Sequence, residues 1–180
     1  MKISFLKEYR LIKLIALITA VVLIGADRFT KRLIEINFEL GESINLVSIN
    51  EIIILNLTYV RNTGAAFSIL QGQRLFLIIT TCLLLTGALI FLLSDKINSK
   101  ALIIALTLII GGGAGNLYDR VFYGYVVDFI DFRIINFPIF NFADICAVTG
   151  AFLFLFIMLI EEYKISKKKK EDEKSNTDSE

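Results

Sequence analysis

At 180 residues, 56% of them hydrophobic, and with a mean hydropathy of +0.69, the chain has the length of one domain but is too apolar for an ordinary soluble one. A net charge of +1, with the basic residues gathered mostly at the two ends, argues against a nucleic-acid partner. The chain has no histidine, which removes Ser-His and Cys-His mechanisms and histidine-ligated metal sites, so hydrolysis would have to use carboxylates, lysine or hydroxyls.

A hydrocarbon layer about 30 Å thick is crossed by roughly 20 apolar residues in a helix. Four stretches qualify, at about 11–29, 75–94, 101–118 and 139–160. The first follows Lys2, Lys7, Arg10 and Lys13, as a secretory signal would, but no small-x-small cleavage site follows before Asp27, so it reads as a retained span. Between the first and second spans, about 32–73, the run from Ile52 to Val60 is rich in β-branched residues and alternates after Ile54, which predicts a strand. Asn62-Thr63-Gly64 is a turn signal after it, while 37–49 is too mixed to assign.

The second span, free of charge between Arg74 and Asp95, leads through a short link with Lys96 and Lys100 into the third. Those lysines, the amino-terminal cations and Lys167 to Lys170 fall on one side of the four spans, which the positive-inside tendency makes the cytoplasm. The expected fold is therefore an α-helical membrane protein of four transmembrane helices, both ends inside, with a small extracytoplasmic β-rich subdomain between helices 1 and 2. Residues 1–166 form the membrane domain, and the charged, aromatic-free 167–180 reads as a disordered cytoplasmic tail. Cys82 and Cys146 sit in apolar runs without paired spacing and read as packing residues, with neither a disulfide nor a zinc site indicated.

Ionisable groups inside a span cost about 2.5–3.5 kcal/mol each near the bilayer centre and usually serve a site. At about 1.5 Å per residue, Asp27 and the Asn116, Asp119 and Arg120 group reach a similar depth, and Asp144 lies about one turn inside the fourth span from the same side. Asp27 and Lys31, spaced i and i+4, are either an ion pair or an interfacial anchor. Gly111-Gly112-Gly113-Ala114-Gly115 permits close helix approach; a phosphate cradle would need a preceding strand. Asp128 and Asp131 share an apolar segment outside the third span, and spacing does not choose between them. If one of them meets Asp144, repulsion and desolvation would leave one acid protonated and the other ionised near neutral pH, which suits general acid–base hydrolysis.

Five motifs in order now carry a resemblance: Asp27-Arg28-Phe29-Thr30-Lys31, Asn62-Thr63-Gly64-Ala65-Ala66-Phe67, Gly115-Asn116-Leu117-Tyr118-Asp119-Arg120, Val126-Val127-Asp128-Phe129 and Phe140-Asn141-Phe142-Ala143-Asp144. Together, over about residues 10–160, they resemble the lipoprotein signal peptidase (signal peptidase II) family. The resemblance implies an aspartyl endopeptidase of the bacterial inner membrane that removes signal peptides from diacylglyceryl-modified prolipoproteins, cutting before the lipidated cysteine near the extracytoplasmic face. By motif it makes Asp128 and Asp144 the catalytic pair, resolving the choice over Asp131. Asn62, Gly64, Asn116, Arg120 and Asn141 would bind substrate or orient the pair, and Asp27, Lys31 and Asp119 would support it. It implies no metal or cofactor; the partners would be prolipoprotein substrates and membrane lipids, and the protein is expected to be monomeric. Arg28 stands where many members have glutamine. Two other classes are weaker. A small transporter predicts internal repeats and interrupted midplane helices, neither of which the sequence has, and a non-catalytic membrane assembly protein predicts that neither acid is needed.

Overall fold

The computed structural model describes residues 2–65, 69–95, 97, 99–135 and 137–177. Among the described residues the chain forms α1 (Lys2–Asn37), β1 (Ser43–Ile49), β2 (Ile52–Asn62), α2 (Arg74–Leu93), α3 (Lys100–Phe122), β3 (Val126–Phe132) and α4 (Phe142–Thr177). All four helices contain stretches long and apolar enough to cross a membrane. Large apolar side chains such as Val21, Leu84 and Phe152 point away from the bundle and stay more than 60% exposed, as suits contact with acyl chains rather than water. Cys82, expected to pack, is exposed on α2, whereas Cys146 is buried.

α3 packs against the other three helices. Its glycines explain how closely. A Cβ on Gly112 would lie 2.3 Å from the Ala143 carbonyl oxygen of α4, and one on Gly115 would lie 2.6 Å from Asp27 Oδ2 of α1. Both distances are sterically forbidden, so absent side chains set the helix separation at this end. At the opposite end, Ala16, Leu92, Ile97, Leu102, Ile103 and Leu106 close an apolar core.

Several boundaries differ from the sequence expectation for local reasons. α1 runs past residue 29 to Asn37, because Lys31 finds internal partners and no glycine or proline lies between residue 29 and Gly41, which has φ +87°. α3 extends through 122, taking Asn116 to Arg120 into the helix. α4 starts at Phe142 rather than 139, since Phe140 bridges to Ile130 and Asn141 is the cap. It also continues helical to Thr177, where a disordered tail was expected from 167. Lysine and glutamate are good helix formers, and no glycine or proline stops it. Residues 178–180 and Lys96 of the predicted cationic link lie outside the described residues.

The sheet is antiparallel, in the order β1-β2-β3. It is not confined to the connection between α1 and α2, because β3 comes from the connection between α3 and α4. β1 occupies the unassigned 37–49 region. It is exposed on both faces, so burial imposes no alternation on its sequence, and Asn50 and Glu51, both at positive φ, make its tight turn into β2. Ile34, Tyr59, Val127 and Phe129 then bind the sheet to α1.

Candidate active site

The amino end of α4 is buried, and its first N–H groups need acceptors. Asn141 is the cap: its Oδ1 accepts from the Asp144 N–H at 2.9 Å, while Asp144 Oδ2 accepts from the Asn141 N–H at 3.0 Å. This reciprocal box holds the Asp144 carboxyl at the positive end of the helix dipole. A third N–H, that of Ala143, donates to Asp27 Oδ1 of α1 at 3.1 Å, so α1 caps α4 across the bundle. The signal for the box, Asn-x-x-Asp before an apolar run, was present in the sequence.

Asp128 reaches the same place from β3. Strand parity separates it from Asp131, an odd number of positions away, so the two carboxylates leave opposite faces. Asp128 Oδ1 accepts from Asn141 Nδ2 at 2.7 Å and its Oδ2 from Asn62 Nδ2 at 2.9 Å. Asp131 instead accepts from Thr58 Oγ1 at 2.8 Å and pairs with Arg133 at 2.8 Å. Asn141 therefore touches both Asp128 and Asp144, and Asn116 Nδ2 completes the link by donating to Asp144 Oδ1 at 2.7 Å. Burial first, and the charge of Asp144 second, push the Asp128 carboxyl up to about 7, against the lowering effect of the two asparagine hydrogen bonds.

Behind this pair, Lys31 is fully buried. Its ammonium donates to Asn116 Oδ1 at 2.8 Å and lies at ion-pair distance, 2.8 Å each, from Asp27 Oδ2 and Asp119 Oδ2. Asp27 and Lys31 are thus an internal ion pair and not an interfacial anchor. Asp119 also pairs with Arg28, whose guanidinium lies over the Tyr118 and Tyr123 rings at 5.1 and 4.9 Å. The sequence reading gave Arg28 no role. Its distant partners on α3 left no local signal.

Arg120 Nη2 donates to the Gly64 carbonyl at 2.9 Å, and the Gly64 N–H donates to Asn62 Oδ1 at 2.9 Å. All the predicted site residues thus join one connected cluster. The last two residues of the second motif, Ala66 and Phe67, lie outside the described residues. A cavity of about 800 Å³ is lined by Asn62, Asn116, Arg120, Asp128 and Asp144, with Phe137, Ile145 and Val148 among its apolar walls. Arg120 Nε is buried there with no hydrogen-bond acceptor among the described residues. Two carboxyls held by one asparagine, that of Asp128 with a raised proton affinity, beside an apolar trough can activate a water and protonate a leaving group.

Residues 19–160 match the family model described as Signal peptidase (SPase) II. The lipoprotein signal peptidase of Streptococcus thermophilus is 40% identical over 145 residues, covering 81% of this chain and 92% of that one. That of Haemophilus ducreyi is 43% identical over 159 residues, covering 85% and 92%. A bacterial membrane enzyme solved by the in meso method at 2.3 Å resolution superposes with a TM-score of 0.76 at 34% identity, covering 82% of this chain and 88% of that one.

Proposed function

The chain belongs to the signal peptidase II family, and from that premise we propose that it is an aspartyl endopeptidase that removes signal peptides from diacylglyceryl-modified prolipoproteins, cutting on the amino side of the lipidated cysteine. As a family member with four apolar helices it is a multi-pass bacterial membrane protein. The side assignments belong to the proposal: cationic ends in the cytoplasm, and the sheet and site at the outer face of the inner membrane, where a lipid-anchored cysteine would hold the scissile bond. Residues 1–166 would form the peptidase domain, acting as a monomer.

The observation that carries the reading is that Asn141 donates its side-chain amide to Asp128 and its backbone N–H to Asp144, with both acids lining one largely apolar cavity. Asp128, with its raised proton affinity, holds the shared proton, and the Asp144 carboxylate takes a proton from the attacking water. Asp128 gives its proton to the peptide carbonyl oxygen, and collapse of the tetrahedral adduct releases the amine with a proton returned by the pair. Arg120, which lines the cavity, supplies a guanidinium for a substrate carbonyl. The apolar walls beside Val148 suit the acyl chains.

The test is incubation of the purified protein in detergent with one prolipoprotein, with and without its diacylglyceryl group, and mass spectrometry of the products. Cleavage immediately before the cysteine, dependent on the lipid, is expected. Well-folded protein that cuts neither form, or cuts both equally, would contradict the proposal.

A further inference from the structure

A second basin, of about 460 Å³, lies between the end of α1, β2 and the segment joining α3 to β3, bordered by Arg32, Glu35, Tyr59, Arg61, Tyr123 and Tyr125. The chemistry proposed above uses none of these residues, although Arg61 also borders the first cavity. Arg61 is held in place by aromatic partners: its Nε donates to the Tyr59 hydroxyl at 2.8 Å, and its guanidinium lies 4.7 Å from the Tyr125 ring centroid and 5.6 Å from that of Tyr59. Its Nη groups make no hydrogen bond to any described residue. A pre-oriented fork of unused N–H donors suits bidentate binding of a phosphate. Arg32 adds a second cation. It meets Glu35 only at 3.5 Å, and the Glu35 side chain is 13% exposed. Burial raises the Tyr125 hydroxyl, which stays protonated and adds no negative charge to the basin.

The basin therefore offers two guanidinium groups for an anion, with one carboxylate beside them for a hydroxyl or ammonium. Tyrosine gathers where a membrane protein meets the headgroup layer, and arginine can anchor there. On the bilayer side of the basin, Phe29, about one turn back along α1 from Arg32, is exposed together with Leu33, giving acyl chains an apolar surface leading from the basin. A free phosphate would have no use for that surface.

We propose that this basin binds the headgroup of an outer-leaflet glycerophospholipid, with the phosphodiester on Arg61 and Arg32 and the headgroup hydroxyl or ammonium on Glu35. The inference rests on the membrane placement proposed above and not on the peptidase chemistry, so its test reads lipid retention without any cleavage assay. Full-length protein is delipidated in detergent, offered phosphatidylglycerol, phosphatidylethanolamine or phosphatidylcholine, and examined by native mass spectrometry. Phosphatidylglycerol and phosphatidylethanolamine should be retained about tenfold more by wild type than by Arg61→Gln, a step of about 1.4 kcal/mol. Arg133→Gln, on an exposed arginine that is not part of the basin's lining, should match wild type. Phosphatidylcholine, whose quaternary ammonium cannot donate to Glu35, should bind less well, and Glu35→Gln should erase that preference. Millimolar inorganic phosphate should not displace the lipid. Equal retention by wild type and Arg61→Gln would overturn the site, and efficient displacement by phosphate alone would overturn its assignment to lipid. Should Arg61→Gln fail to fold, an unchanged headgroup preference in Glu35→Gln would overturn the proposal instead.

Discussion

The two ends of the bundle are held by different physics. Away from the sheet, Leu92, Ile97, Leu102, Ile103 and Leu106 pack as an apolar cluster, with Lys13 turned onto the Ser94 carbonyl at 2.6 Å as a polar exception. At the sheet end, Asp27, Lys31, Asn116, Asp119 and Asn141 are all buried and joined by directed bonds between helices. Apolar packing gives way gradually when a methyl is lost. A buried polar cluster fails more abruptly, because each removed member leaves a partner unpaired in a medium of low dielectric. That difference suits a site whose acids must keep a fixed geometry and a fixed number of protons.

Lys31→Met should strain the comparison most. It leaves Asp27 and Asp119 without their shared cation, a loss on the order of 3–5 kcal/mol, and should lower the thermal midpoint in detergent far more than a one-methyl truncation at the other end. Gly112→Ala comes next: its methyl meets the Ala143 carbonyl oxygen and must push α3 from α4, at about 1–3 kcal/mol. Because Ala143 adjoins Asp144, activity should fall as well, whereas Gly87→Ala, with nothing within 4 Å, should leave both melting and cleavage unchanged.

The pH dependence follows from Asp128. If its proton is required, kcat/KM should fall about tenfold per unit as pH rises above about 7. The same raised affinity gives a contribution to folding stability that is complete below the ordinary value of 3.8 and lost as pH rises through about 7. Wild type should therefore lose melting temperature relative to Asp128→Asn across that window, and parallel melting curves would contradict the assignment. The smallest effect belongs to the apolar end, where Ile103→Val should cost about 0.5–1.5 kcal/mol with little change in rate.

The same contrast governs what could be read in advance. Long apolar runs announce spanning helices, so all four were legible, as was β2 from its β-branched residues. β1 was hidden by exposure on both faces, and β3 because Asp128 and Asp131 interrupt an otherwise strand-like run. With β3 unrecognised, the parity argument that separates its two acids was out of reach, and only the motif resemblance chose between them. The i, i+4 spacing suggested the Asp27–Lys31 pair, but local spacing could not show that Lys31 also serves Asn116 and Asp119. Those contacts depend on how α1 docks against α3, which the glycines permit without specifying.

The most direct test of the account compares cleavage of one diacylglyceryl-modified prolipoprotein by wild type, Asp128→Asn, Asp144→Asn and Asp131→Asn, each verified as folded. Asp128→Asn and Asp144→Asn should each lose about 10³-fold or more in rate, while Asp131→Asn, whose carboxylate faces Thr58 and Arg133, should stay within a few-fold of wild type. An inactive Asp131→Asn beside an active Asp128→Asn would contradict the pairing of Asp128 with Asp144.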